Sequence, residues 1–366
     1  MPGLFEPLTI GGIRLPNRIA ASPMCTYGSP GSGMATDSHL IHLGTLAMGG
    51  AGLVVQEATG VVPEGRISPA CLGIWSDDHI PSLSRIVGAI HAHGAAAGIQ
   101  LAHSGRKGST WPFGAKPGVV GAEDGGWLPV GPSAIAFGSG HPQPRVLSEP
   151  EIAAVVDAFR DAAKRAVRAG YDVMEVHSAH GYLLHQFLSP LSNHRTDRFG
   201  GAFEGRTCLV LEVVRAVRSV VPTTKALLVR VSATDWVEGG WTPEETCALA
   251  KLLRSEGVDL MDVSTGGMVP DARIPLAPLY QVSFSKQVRD ASGLAVGAVG
   301  LVTEPQQAQA ILDEASADVV FLGRALLRDP FWPVHAAHGL GVVGSWPRSH
   351  LRGAPEGSIV RGAFQA

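Results

Sequence analysis

Short apolar runs bounded by turn residues alternate along this chain with longer segments whose apolar positions recur at three- and four-residue spacing. The first kind reads as buried strand, the second as amphipathic helix. Strands are expected at 17–24, 52–58, 95–102, 172–176, 226–232, 258–264, 294–300 and 318–323. Helices are expected between them at 36–50, 79–93, 149–169, 204–220, 243–256, 279–291 and 304–313, with a short last one to follow. Continuous apolar strands alternating with helices predict a parallel sheet covered on its outer face, and eight such units predict a closed α/β barrel, the (β/α)8 or TIM-barrel class. The amino-terminal segment before them carries a Gly11-Gly12 turn.

The rhythm fails between His103 and Ser148, a stretch dense in glycine, proline and tryptophan (Trp111, Pro112, Gly125, Gly126, Trp127, Pro129). A long insertion without regular structure in a compact domain is expected to be a lid or site wall, and its aromatic residues give it something to pack with.

Composition fits one large core. Of 366 residues 45% are hydrophobic and 17% charged, and barrels of this length fold as one unit, so residues 1–366 are read as a single domain. The net charge of -3, with acids and bases interspersed, leaves no electrostatic footprint for nucleic acid or an anionic membrane, and small molecules are the expected partners. No basic leader precedes an apolar segment and no run reaches spanning length, so a cytoplasmic location is expected. Cys25, Cys71, Cys208 and Cys247 are scattered without a C-x-x-C pair, which supports neither an iron–sulfur cluster nor a zinc ribbon.

In a barrel of this kind the strand carboxyl ends form the active face. His177-Ser178-Ala179-His180-Gly181-Tyr182 follows the apolar run 171–176, so two imidazoles and a phenol arrive together at such an end. Two N–H donors aimed at one oxygen, with a phenol able to give a proton, make an oxyanion hole with a general acid. Hydrogen-bonded core histidines are the alternative, and a metal pair lacks a third ligand at suitable spacing. After the last two strands, Gly300 and Gly323-Arg324 offer close backbone approach and a guanidinium where barrels hold a phosphate; a loop glycine beside a surface arginine is the alternative. Gln100 and Arg230 end strands on either side of His177 in the sequence, an amide and a fixed charge suited to a ring with alternating carbonyl and N–H edges. A salt bridge from Arg230 to an acid such as Asp235 is its alternative.

Together these residues resemble a known family, the flavin-dependent ene-reductases called old yellow enzymes, and within it the thermophilic-like branch. The resemblance runs along nearly the whole chain: Leu4-Phe5-Glu6-Pro7-Leu8 with Asn17-Arg18, Ser22-Pro23-Met24-Cys25, Gln100-Leu101-Ala102-His103, the His177–Tyr182 stretch, Asn193-His194-Arg195-Thr196-Asp197 with Gly200-Gly201, Arg230-Val231-Ser232, and Gly323-Arg324. It implies FMN in the barrel, with Ser22, Pro23, Met24, Cys25, Ala58, Gln100 and Arg230 around the isoalloxazine and Gly300, Gly323 and Arg324 at the phosphate. His177 and His180 match the pair that binds the carbonyl oxygen of an enone, Tyr182 the proton donor, Tyr27 a residue that closes over substrate, and Cys25 the cysteine that tunes the flavin; a buried inert thiol is the rival for Cys25. NADPH or NADH would reduce the flavin, and hydride would then pass from N5 to the substrate β-carbon, with nitro compounds as further substrates. The segment from Trp346-Pro347 to Arg352-Gly353 resembles a tail that places an arginine, here Arg352, in a neighbouring active site, which implies a homodimer or homotetramer. His350 stands where that tail usually has tyrosine, and the chain runs on to Ala366. A tail without fixed structure is the alternative for this segment. Dienoyl-CoA reductases need a cluster and a further domain that this chain lacks, a non-catalytic FMN barrel would not need the His pair and Tyr182, and an aldolase needs a strand-end lysine that none of these strands carries.

Overall fold

A computed structural model describes residues 3–361. Eight parallel strands close into a barrel: β1 (Ile19–Ala21), β2 (Leu53–Gly60), β3 (Ala96–Ala102), β4 (Val173–Ser178), β5 (Ala226–Ser232), β6 (Leu260–Ser264), β7 (Ala295–Ala298) and β8 (Val319–Leu322). Neighbours follow chain order, and β8 pairs with β1 through Val320 opposite Ile19 to complete the circle. The predicted helices lie between the strands, and none of the described ones is long and apolar enough to cross a membrane.

Alternation along each strand divides the side chains between two cores. Val54, Ile99, Met174, Val176, Val229 and Met261 join the core between strands and helices. Leu53, Val173, Leu228, Leu260 and Phe321 pack inside the barrel. That inner layer is finished by an antiparallel hairpin, Leu8–Ile10 with Ile13–Leu15, whose Ile10 and Leu15 are buried among the inner residues. Each such side chain contributes roughly 1.5–3 kcal/mol by leaving water. The turn of this hairpin needs its glycines: a Cβ on Gly12 would lie 2.5 Å from the Thr223 carbonyl oxygen.

Local signals explain where elements stop. The helix Glu149–Ala169 begins at Ser148, whose backbone N–H donates to Glu151 Oε2 at 2.9 Å, and ends at Gly170 with φ +99°. The first strand is shorter than 17–24, since only 19–21 find partners before the chain turns toward the strand ends. Conversely β4 runs two residues past 176, taking His177 and Ser178 into the barrel wall. The 103–148 stretch holds short helical turns and one two-residue strand pair, Val130–Gly131 with Arg145–Val146, and Arg106 donates from its guanidinium to Ile135 O and Met268 O at 3.2 and 2.8 Å.

Candidate active site

Following Val173 and Glu175 by the same parity, His177 points inward at the carboxyl end of β4. The chain then turns sharply, with His180 at φ +58° and Gly181 at φ +72°, and brings His180 and Tyr182 back over His177. The His177 ring lies 5.3 Å from that of His180 and 5.1 Å from that of Tyr182, both edge to face. His180 Nε2 shares a hydrogen with Ser264 Oγ at 2.8 Å, while His177 Nδ1 is buried without a partner. Burial first, and the Arg230 charge second, hold both imidazoles well below their ordinary pKa, so they are neutral and each carries one N–H. Burial also pushes the Tyr182 phenol well above its ordinary value, so it keeps its proton at neutral pH.

One layer deeper sits a charged cluster. Arg230 lies opposite His177 on one side and Asp262 on the other, and its Nε is 3.0 Å from Asp262 Oδ2. Asp235, the sequence candidate for that partnership, lies instead 3.0 Å from His185 with both side chains fully buried. Gln100 donates to Glu175 Oε1 at 2.8 Å. Burial first, then the Asp262 charge, raise Glu175 to about 8. Burial raises Asp262 as well, against the Arg230 charge, so two buried acids share one guanidinium: Asp262 lies nearest to it, and Glu175 is the acid raised to about 8.

Above this layer the segment after β1 forms a wall. Ser22 is held by its N–H to Leu322 O at 3.0 Å and its buried hydroxyl has no partner. Pro23, Met24 and Cys25 follow, half-buried. Thr26 donates from its backbone N–H and hydroxyl to Glu57 Oε1 at 3.0 and 2.6 Å, across an irregularity in β2 between Gln56 and Thr59 that includes Ala58. The neighbouring Cys71 thiol first, then burial, raise the Cys25 thiol pKa well above its ordinary value. Tyr27 stands beside it at φ +54°, half-buried, its phenol also raised by burial.

At the ends of β7 and β8 a cavity of about 240 Å³ is lined by Gly300, Gly323, Arg324, Arg328, Tyr280 and Gln281. Gly300 has φ +133°, and a Cβ there would meet Gln281 at 3.1 Å. Arg324 and Arg328 form no ion pair among the described residues, so two guanidinium groups remain available to this cavity. Arg352 is not part of the cluster: it is exposed on the helical turn Arg348–Gly353, which packs through the His350 ring on Phe331 at 5.0 Å.

The sequence and the fold have known counterparts. Residues 3–342 match the NADH:flavin oxidoreductase / NADH oxidase family. The chain belongs to that family. An NADPH dehydrogenase of Geobacillus thermodenitrificans is 46% identical over 96% of this chain and 98% of its own, and one of Listeria monocytogenes is 44% identical over 96% and 99%. Morphinone reductase superposes with a TM-score of 0.76 at 30% identity, covering 98% of this chain and 96% of its own. An old yellow enzyme homologue from Zymomonas mobilis gives 0.77 at 25% identity over 97% and 99%. The old yellow enzyme resemblance and the barrel are therefore established, and the protein is an FMN-dependent oxidoreductase that uses NADPH.

The residues present fit that cofactor. The glycines and unpaired arginines of the 240 Å³ cavity suit a phosphate, and the partnerless Ser22 hydroxyl and His177 Nδ1 lie along the strand ends that lead to it. Sequence reasoning missed Glu175, Asp262, Arg328 and Lys107. An acid inside the apolar run Leu260-Met261-Asp262-Val263 was the readable signal; Arg328, one helical turn past Arg324, was another.

Proposed function

We propose that this enzyme reduces the activated C=C bond of α,β-unsaturated carbonyl compounds. The supporting observation is the His177–His180–Tyr182 cluster: two neutral imidazoles and one protonated phenol at the strand ends, with the His177 ring edge to face against each of the other two. When bound, FMN supplies the two-electron step, taking hydride from NADPH and delivering it to the substrate β-carbon. His177 and His180 bind the carbonyl oxygen and stabilise the negative charge that develops there. Tyr182 gives its proton to the α-carbon and recovers one from solvent, so that alkene, NADPH and a proton become the saturated carbonyl compound and NADP⁺. Ser22, Pro23, Met24, Cys25, Ala58, Gln100 and Arg230 would surround the ring, with Arg230 favouring electron-rich states, and Gly300, Gly323 and Arg324 would hold the phosphate. Tyr27 and the 103–148 insertion close the pocket in this reading, and Arg352 serves the site of a second copy in a homo-oligomer.

The test is an anaerobic absorbance titration of the FMN-loaded protein with NADPH, followed by cyclohexenone. Bleaching by NADPH and prompt return of the oxidised spectrum with the enone are expected. Bleaching followed by no response to cyclohexenone, with dioxygen still restoring the spectrum, would refute the enone reading and leave the flavin assignment standing.

A further inference from the structure

Lys107 ends the short turn Gly105–Lys107 at the root of the 103–148 insertion, with no acid within ion-pair distance among the described residues. Its ammonium donates to His180 O at 2.8 Å and to Gly267 O at 2.9 Å. Those carbonyls belong to different strand ends, the turn after β4 and the loop after β6. The two backbones touch: a Cβ on Gly181 would lie 2.1 Å from Gly267 O, and a Cβ on Gly267 would lie 2.7 Å from His180 Cα. The remaining side of the ammonium faces aromatic rings, 4.4 Å from the centroid of Phe137 and 5.1 Å from that of Tyr182.

We propose that Lys107 is a positioning residue: it locks the His180–Gly181–Tyr182 turn against the Gly266–Gly267 loop and so fixes the oxyanion donors relative to the proton donor. The turn needs such a lock. His180 is a non-glycine residue at φ +58°, a conformation that persists only where the surroundings over-determine it. Its N–H donates to Ser232 Oγ at 3.0 Å, Ser232 Oγ donates to Gly266 O at 2.8 Å, and its ring meets Ser264. These contacts hold one side of His180. Lys107 holds the other, and among the described residues it alone bridges both carbonyls. Burial first, then Arg106, lower its pKa to about 7. The neutral amine still has two N–H donors for the two carbonyls, so the lock does not depend on the charge.

The role rests on the enone reading above for its catalytic consequence, and the experiment separates the two. Lys107→Met keeps an unbranched side chain one atom shorter and removes its donors. Parent, Lys107→Met and Lys107→Arg are loaded with FMN, reduced anaerobically with NADPH, and reoxidised with cyclohexenone or with dioxygen, which needs neither His180 nor Tyr182. The expected result is cyclohexenone reoxidation slowed about 10- to 100-fold in Lys107→Met, the usual cost of misplacing a catalytic group by about 1 Å. Dioxygen reoxidation stays within about twofold, and Lys107→Arg recovers part of the loss. Equal enone rates in parent and Lys107→Met, or an equal loss with both acceptors, overturn the proposal. If Lys107→Met does not fold, Lys107→Gln takes its place: a greater enone loss than in Lys107→Arg supports the role, and an equal one overturns it. If the parent itself ignores cyclohexenone, histidine-ring NMR decides. A displaced His180 signal in the Met or Gln variant supports the lock, and an unmoved one overturns it.

Discussion

Glu175→Gln isolates the charge arrangement beneath the active site. Glu175 is fully buried, and burial with the adjacent Asp262 charge lifts it from 4.5 to about 8, while Gln100 donates to it at 2.8 Å. In the unfolded chain it ionises near the ordinary glutamate value, so between that pH and about 8 unfolding releases a proton. The sign follows: this group's contribution is most favourable below the unfolded pKa and is lost as pH rises toward the folded one. Each pH unit in that window is worth about 1.4 kcal/mol at most, so from about pH 5.5 to about pH 7.5 the parent is expected to lose up to about 2–3 kcal/mol through this residue. Asp262 shares the site and reduces that figure. The substituted amide keeps the shape of the side chain and a hydrogen bond to Gln100 but does not titrate. Urea unfolding of the FMN-loaded parent and variant at several pH values gives the measurement, because the difference between them cancels other groups such as Glu57, raised to about 7 chiefly by burial. The variant should gain on the parent steadily as pH rises. Parallel stability curves across this window would refute a protonated Glu175.

Three further outcomes are expected. Tyr182→Phe keeps the ring against His177 but removes the proton, so cyclohexenone reoxidation should slow about 100- to 10,000-fold while reduction by NADPH changes little, as read by stopped-flow absorbance. Arg324→Ala should weaken FMN binding about 10- to 100-fold by loss of a charge-assisted hydrogen bond, measured by fluorescence titration of the apoprotein, with Arg328 limiting the loss. Gly181→Ala combines φ +72° with a Cβ 2.1 Å from Gly267 O, so it should cost at least about 1–3 kcal/mol and lower the thermal midpoint along with enone turnover.

How much was legible in the sequence depended on whether the deciding contact was local. The helix Glu149–Ala169 and the strand Ala226–Ser232 fall where the pattern puts them, the helix because Ser148, Glu151 and Gly170 mark its ends. The amino-terminal hairpin was not legible as strand: with three residues on each side it shows only the Gly11-Gly12 turn, and its reason to exist is the open bottom of the barrel. The His177–Tyr182 cluster was readable because its members are neighbours in the chain. The partner of Arg230 was not, since Asp262 faces it across a parallel register while the nearer Asp235 is turned to His185. Lys107 was missed for the same reason, its two acceptors lying 73 and 160 residues away.

The closure of β8 on β1 has a consequence for the life of the polypeptide. Ser22 is held by Leu322, and Arg18 donates to the Asp318 carbonyl 300 residues further on at 3.1 Å. The residues suited to the flavin ring thus come mostly from the first two thirds of the chain, and those suited to its phosphate come from near the end. A ribosome must finish almost the whole message before the two halves can meet. If Gly300, Gly323 and Arg324 hold the phosphate as proposed, cofactor retention is a test of completeness: a product truncated before them would fail to turn yellow.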